Sequence, residues 1–219
     1  MDHQNIALLG ATGFVGTALL TEALARGHRV TAVVRDPAAL STPNALLTVV
    51  RGDVNDPARL APQLAGHDVV LSAFNPGWIH PALYEAFLAG SRAIEHATAE
   101  AGVPRLVVIG GAGSLVVDGQ QLVDGPQFPA EYKAGATAAR DYLGELKQNT
   151  RLDWTFFSPA VEMHPGIDTG RTGRYRVGTD SPVFDADGRS VLSVQDVAVA
   201  VLDEVEQHRF SRQRFTAGY

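Results

Sequence analysis

The sequence contains no cysteine, which excludes disulfides, thiolate nucleophiles and cysteine-ligated metals, and leaves redox chemistry silent about the compartment. No apolar run approaches the ~18 residues that would cross a bilayer. No block of like charge, internal repeat or low-complexity tract interrupts the 219 residues. The net charge of −6 has the wrong sign for gripping a nucleic-acid backbone. The GxSxG pattern that lifts a serine nucleophile onto a strand-to-helix elbow does not occur, and the seven histidines are scattered without the close spacing of metal ligands, so no metal site is expected. The length suits a single α/β domain over residues 1–219, with 159–192 as a small lobe on the substrate side. At the start, MDHQN runs directly into a core strand, leaving no room for a basic segment and a secretory apolar stretch, so a cytoplasmic protein is expected.

What is present is organised around IALLGATGFVG at 6–16. Ile6, Ala7, Leu8 and Leu9 form an unbroken apolar run, as in a parallel strand covered on both faces. Gly10, Gly13 and Gly16 follow at once. In this spacing the first glycine permits the tight turn, the second lets a pyrophosphate approach the backbone, and the third allows the helix to pack on the strand. Thr12 adds a hydroxyl, and Phe14 and Val15 open a helix whose free N–H groups and positive end face the phosphates. Such glycines also serve purely structural turns. The apolar strand before them, with an amphipathic helix and a second strand after, is the context a dinucleotide-binding βαβ unit requires.

The second strand, RVTAVV at 29–34, ends at Arg35. An acidic side chain here would bind the ribose of NAD, whereas an arginine accommodates the 2′-phosphate of NADP, so Arg35 favours NADP(H). Asp36, one residue on, keeps NAD(H) as the alternative. A third strand at 47–51 leads to Asp53 and Val54 at the ligand rim, where Asp53 can bond the adenine amino group or cap the helix starting near Pro57, a role open to Asn55 or Asp56. The fourth strand, 69–73, delivers Ala73, Phe74 and Asn75, small and aromatic groups over which a dinucleotide can lie flat, although Phe74 also reads as core. A helix at 81–101 leaves Glu95 and His96 on its surface side. The fifth strand, 105–109, runs into GGAGS at 110–114, where Gly111 allows close approach of nicotinamide and substrate and Ser114 supplies a hydroxyl.

Residues 115–129 read as a loop overhanging the site, followed by a helix from 129 to about 147. The sixth strand, 153–158, places Ser158 and Pro159 at the cofactor edge, and His164 lines the loop beyond. A short strand is expected at 174–177, with Arg171, Arg174 and Arg176 as a solvated ribbon. Ser193 caps a helix ending at Gln207, and 215–217 forms a last strand.

Taken together, IALLGATGFVG, GDV at 52–54, SAFNPG at 72–77, VVIGGAGS at 107–114 and FFSPA at 156–160 resemble the atypical short-chain dehydrogenase/reductases. The similarity is greatest to NmrA-like NAD(P)-binding proteins described as NADH-flavin reductases, with flavin and biliverdin reductases as further kin. The resemblance implies a Rossmann-type doubly wound parallel sheet in three αβα layers. It also implies a cofactor at the carboxyl edge and substrate under a small C-terminal covering segment. In the main short-chain family a tyrosine four residues before a lysine sits one helical turn from it, and the lysine lowers the tyrosine pKa and binds the nicotinamide ribose. Here Tyr132 and Lys133 are adjacent, about 100° apart around a helix, and Pro129 occupies the position four before Lys133. Three readings follow: Lys133 holds the ribose alone, the pair is ordinary helix surface, or Tyr132 acts as a lone proton donor. Hydride transfer to a flavin or quinone can take its proton from water.

The expected function is therefore an NAD(P)H-dependent reductase of a flavin, quinone or similar planar acceptor, monomeric or homodimeric. Ser114, Lys133 and Tyr132 stand nearest the chemistry. The competing readings are a redox-sensing regulator that binds the dinucleotide without turnover, and an NAD-dependent epimerase or dehydratase.

Overall fold

Period-two alternation divides the first apolar strand between two cores. In the computed structural model, which describes residues 3–40 and 43–219, Ile6 and Leu8 of β1 (Asn5–Leu9) point into one cluster, and Ala7 and Leu9 into another. Met1 and Asp2 of the leading segment, and Ser41 and Thr42 of the loop after the second strand, lie outside the described residues. The same alternation recurs in β2 (Arg29–Val34), β5 (Arg105–Ile109) and β8 (Asp153–Ser158). Apolar surface on both faces of a strand is stable only when helices cover both, which is what requires three layers.

The main sheet also contains β3 (Leu47–Arg51), β4 (Val69–Ser72), β9 (Arg176–Gly178) and β10 (Gln213–Gly218), in the order β3-β2-β1-β4-β5-β8-β10-β9. Every pairing is parallel except β9 on β10. Helices α1 (Phe14–Ala25) and α5 (Val194–Gln207) fill one face. Helices α2 (Pro57–Leu64), α3 (Leu83–Glu100) and α4 (Ala130–Leu146) fill the other. The chain winds outward from β1 to β2 and β3, then returns to β4 on its opposite side. The strand order thus reverses between β1 and β4, opening a crevice at their carboxyl ends where ligands bind in such sheets.

Three expectations of local structure need correction. Residues 115–129 are not all loop: β6 (Val116–Val117) and β7 (Gln120–Gln121) pair antiparallel, and Leu122–Asp124 forms a 3₁₀ turn. The short strand is Arg176–Gly178 rather than 174–177, because its register is set by pairing with Ala217 on β10. Glu95 is half-buried rather than fully exposed: it accepts hydrogen bonds from Tyr142 Oη at 3.1 Å and Asn149 Nδ2 at 2.5 Å, joining α3 to α4 and the turn after it. Among the described residues no helix is long and apolar enough to cross a membrane.

Candidate functional site

Each glycine of the first turn has its own geometric reason. Gly10 has φ +79°, and a β-carbon there would lie 2.3 Å from the carbonyl oxygen of Ala73 at the end of β4, so both backbone sign and space demand glycine. At Gly16 a β-carbon would lie 1.9 Å from the Gly10 carbonyl oxygen, so only glycine lets α1 close on the turn. Gly13 differs: among the described residues a β-carbon there would touch only the Gly10 oxygen, at 3.4 Å, with open space beyond. Gly13 is also the N-cap of α1, and among the described residues no side chain caps that helix. An uncapped helix start beside open space, at the sheet's switch point, suits an anion. Thr12 and Phe14 are exposed beside it, with Val15 half-buried.

Around this turn the structure gathers the ends of β2, β3 and β4. Arg35 is exposed at the end of β2. The Asp36 carboxylate is engaged locally, accepting from Ala38 N at 3.1 Å to cap the turn Pro37–Ala39. Asp53 accepts from Asn55 N and Nδ2 at 2.9 and 3.0 Å. The cap of α2 falls to Asp56, which accepts from Arg59 N. Val54 packs at the edge of the core beside α2. Ala73 donates its N–H to Leu9 O. The Phe74 ring is turned away from the crevice, onto Phe87 and into the gap left by Gly90, where a β-carbon would be 2.3 Å from it. Phe74 therefore meets the crevice through its backbone, and its ring is core. Asn75 closes a turn by accepting from Gly77 N.

On the other side of the crevice, the loop after β5 folds over the sheet. Gly110 is required because a β-carbon there would lie 1.9 Å from the Phe156 ring. Gly111 borders Ala139 of α4, and a β-carbon at Gly113 would meet Ala136 at 3.0 Å, so this loop packs on α4.

Ser114 is not an open hydroxyl. It is 1% exposed, its Oγ lies 3.3 Å from Ser158 Oγ, and Arg214 Nη1 donates to both its carbonyl and its Oγ, at 2.7 and 3.1 Å. In this arrangement its group holds the loop rather than facing an acceptor. Ser158 and Pro159 are likewise buried at the end of β8. Tyr132 and Lys133 are both exposed on the first turn of α4, and the Tyr132 ring packs edge to face on Trp78, centroids 5.5 Å apart.

The segment 159–192 is fastened at several points. Glu162 bridges to Val191 in the backbone and pairs with Arg189, which holds its carboxyl below the usual range. His164 is exposed and closes a local turn by accepting from Gly166 N. Asp196 at the start of α5 is fully buried and accepts from Thr172 N, Gly173 N, Thr172 Oγ1 and Tyr219 Oη at 3.0, 2.8, 2.5 and 2.7 Å. Burial, with Asp196 beside it, raises the Tyr219 hydroxyl pKa.

Of the three arginines expected as a solvated ribbon, Arg174 is exposed as expected, whereas Arg171 and Arg176 are engaged. Arg171 clasps the buried Glu22 with Nε at 2.8 Å and Nη2 at 2.9 Å, and Arg176 donates to the carbonyls of Phe184 and Tyr219. Sequence reasoning missed Glu22, Trp78 and Arg214. Trp78, just after SAFNPG, had an aromatic at a rim loop as its signal; the two others are charged residues inside helix and strand patterns and had none.

The arrangement meets close relatives in known proteins. The model of the NAD(P)H-binding family matches residues 10–207. A Bacteroides thetaiotaomicron structure, provisionally named an epimerase, is 41% identical with TM-score 0.91, covering 100% of this chain and 98% of that one. A Burkholderia pseudomallei structure, provisionally named an exported protein, is 45% identical with TM-score 0.87, covering 99% and 100%. A Streptococcus pneumoniae structure, provisionally named an NADH-flavin reductase, is 32% identical with TM-score 0.85, covering 98% and 99%. The chain belongs to the NAD(P)H-binding family, on its atypical short-chain dehydrogenase/reductase, NmrA-like branch.

Proposed function

We propose that this oxidoreductase-type protein takes its reducing equivalents from NADPH, with NADH as the weaker donor, and passes them to a flavin, quinone or similar planar acceptor. The observation that carries the reading is the turn at Gly13: an uncapped helix start with open space beside it, at the point where the strand order reverses. Gly10, Thr12, Gly13, Phe14, Val15 and Gly16 would hold the pyrophosphate through main-chain N–H groups and the Thr12 hydroxyl. Arg35 would take the 2′-phosphate, since Asp36 is engaged in its own cap. Asp53 and Val54 would border the adenine, and Ala73, Phe74 and Asn75 the adjoining ribose, chiefly through backbone. Gly111, Ser158 and Pro159 would border the nicotinamide.

When bound, the reduced nicotinamide supplies the hydride. The protein's own residues orient the two reactants and exclude water. Lys133, exposed and one helical turn from the loop-packing face of α4, would reach the nicotinamide ribose. Tyr132 is held on Trp78, so the proton is drawn from solvent. The lobe at 159–192 would cover the acceptor within a single domain. The name of the Streptococcus relative supports the flavin reading. We place the protein in the cytoplasm, as a monomer or homodimer acting on small molecules.

The enclosure of Ser114 and the separation of Tyr132 from Lys133 favour one second reading, a regulator that binds the dinucleotide without turnover. Calorimetric titration with NADPH and NADH, then nicotinamide absorbance with FMN, FAD and quinones added, separates the two. Binding with acceptor-dependent oxidation establishes the reductase. Binding without oxidation establishes the regulator, and no binding overturns both.

A further inference from the structure

A tryptophan more than half exposed is unusual unless something covers it, since its large apolar surface is costly in water. Trp78 is 56% exposed, and its neighbour Ile79 is 98% exposed. Both stand on the segment after β4, near the carboxyl edge of the sheet. The indole is nevertheless held in place. Tyr132 meets it edge to face at 5.5 Å with an interplanar angle of 82°. Its six-membered ring also rests on Gly135, where a β-carbon would come within 2.9 Å of Cζ3 and 3.3 Å of Leu83 Cδ2. Glycine inside a helix costs about 1 kcal/mol relative to alanine, and at position 135 its missing side chain makes the seat for this ring.

The position of the seat matters. Gly135 is followed by Ala136, which packs on Gly113 in the loop after β5. Tyr132, Ala136 and Ala139 recur at i, i+4 and i+7 and so share one side of α4, the side lying against residues 111–114. The aromatic pair therefore joins the segment after β4 to the first turns of α4, whose next turn packs on the glycine loop after β5.

Building on the reductase reading above, we propose that Trp78, seated by Gly135 and braced by Tyr132, is the stacking wall for the acceptor and selects conjugated ring systems over small aliphatic carbonyl compounds. A ring fixed from the side and from beneath offers its remaining face without ordering cost, which is how rigid aromatic side chains bind flat ligands. This also assigns Tyr132 a positioning role through Trp78 rather than a proton-donating one.

The test uses the protein loaded with NADP⁺, so that no turnover occurs, titrated calorimetrically with FMN and with 1,4-naphthoquinone. Trp78→Ala is expected to raise the dissociation constant for at least one of them tenfold or more, with Trp78→Phe restoring most of the loss and the NADP⁺ affinity unchanged in both. Gly135→Val, which fills the seat, is expected to weaken the same ligand. Trp78 fluorescence in a Trp154→Phe background is expected to be quenched by the bound ring.

An acceptor affinity unchanged in Trp78→Ala, with NADP⁺ still bound, overturns the wall and leaves the cofactor reading standing. Failure of NADP⁺ and NADPH to bind the wild-type protein overturns the cofactor reading itself. A dimer in light scattering that Trp78→Ala dissociates, with acceptor affinity unchanged, would assign the surface to a second copy and also overturn the proposal.

Discussion

The α-carbon of Gly16 lies so close to the Gly10 carbonyl that a β-carbon on it would stand 1.9 Å from that oxygen, whereas one on Gly13 would stand 3.4 Å away. The two glycines of one motif are thus constrained differently, one by the protein and the other by free space. Gly16→Ala is expected to push α1 off the turn, at a cost of about 1–3 kcal/mol as for other overpacked sites, and to lower the melting temperature by several degrees. Gly13→Val is expected to fold, because its φ of −81° suits any residue. It should weaken NADPH binding at least tenfold, about 1.4 kcal/mol. Melting curves and calorimetry on the two variants check the pair; wild-type NADPH affinity in a folded Gly13→Val protein would remove the pyrophosphate from this turn.

At the end of β2 the two charges have separate work. Asp36 caps the following turn through Ala38 N, leaving the exposed Arg35 to discriminate between cofactors. Arg35→Glu is expected to raise the NADPH dissociation constant at least tenfold, about 1.4 kcal/mol, while that of NADH changes little. The NADPH affinity of the wild type should also fall with added salt, since the contact is between charges at the surface. Equal losses for both cofactors would point to a general disturbance of the rim instead of recognition of the 2′-phosphate.

The strands at 29–34, 47–51, 105–109 and 153–158 were legible to the residue. A strand buried on both faces is a continuous apolar run, and Gly, Asp or Arg marks where it meets solvent. The glycine turn was legible because its constraint is local, each residue meeting a neighbour a few positions away, with Ala73 the exception. What could not be read depends on partners far apart in the chain. Arg171 looks solvated until Glu22 is placed beside it, and Trp78 looks like any loop tryptophan until the missing side chain of Gly135 is seen beneath it. The enclosure of the Ser114 hydroxyl has no local signal, because the residue enclosing it, Arg214, lies on the last strand. Ser193 was legible as the cap of its helix, but the hold of Asp196 on Thr172 and Gly173 was not.

The clasp between Arg171 and Glu22 gives stability a defined pH dependence. The hydrogen bond from Arg171, partly opposed by burial and reinforced by Arg26, holds the Glu22 carboxyl below the ordinary glutamate value. On acidification the unfolded chain then takes up this proton before the folded one. The contribution is therefore complete above the unfolded pKa of about 4.3 and is lost as pH falls through the lower folded value. Glu22→Gln is expected to melt below the wild type at pH 7, and the gap is expected to close as the pH drops below about 4. Melting curves at the two pH values are sufficient; a gap that stays constant would show that the glutamine disturbs packing rather than the ion pair.

Arg214 offers the sharpest separation of structure from binding. Its guanidinium is nearly buried, it donates to the carbonyl and hydroxyl of Ser114, and it pairs with Asp180 across the surface segment after β9. Its Nε has no partner among the described residues, so the group is held by its two terminal nitrogens alone. Arg214→Met keeps much of the volume but strips the Ser114 carbonyl of its donor, a loss of about 1–3 kcal/mol for a buried acceptor. Arg214→Lys keeps the charge but not the fork that spans Ser114 and Asp180, and should recover only part of it. Because Ser114 ends the glycine loop after β5, while the phosphates would sit at the β1 turn, both variants are expected to slow acceptor reduction and leave NADPH affinity nearly unchanged. Stopped-flow oxidation of NADPH by FMN, beside calorimetry on the same samples, measures the two quantities; a parallel fall in both would mean that Arg214 supports the whole carboxyl edge rather than its nicotinamide end.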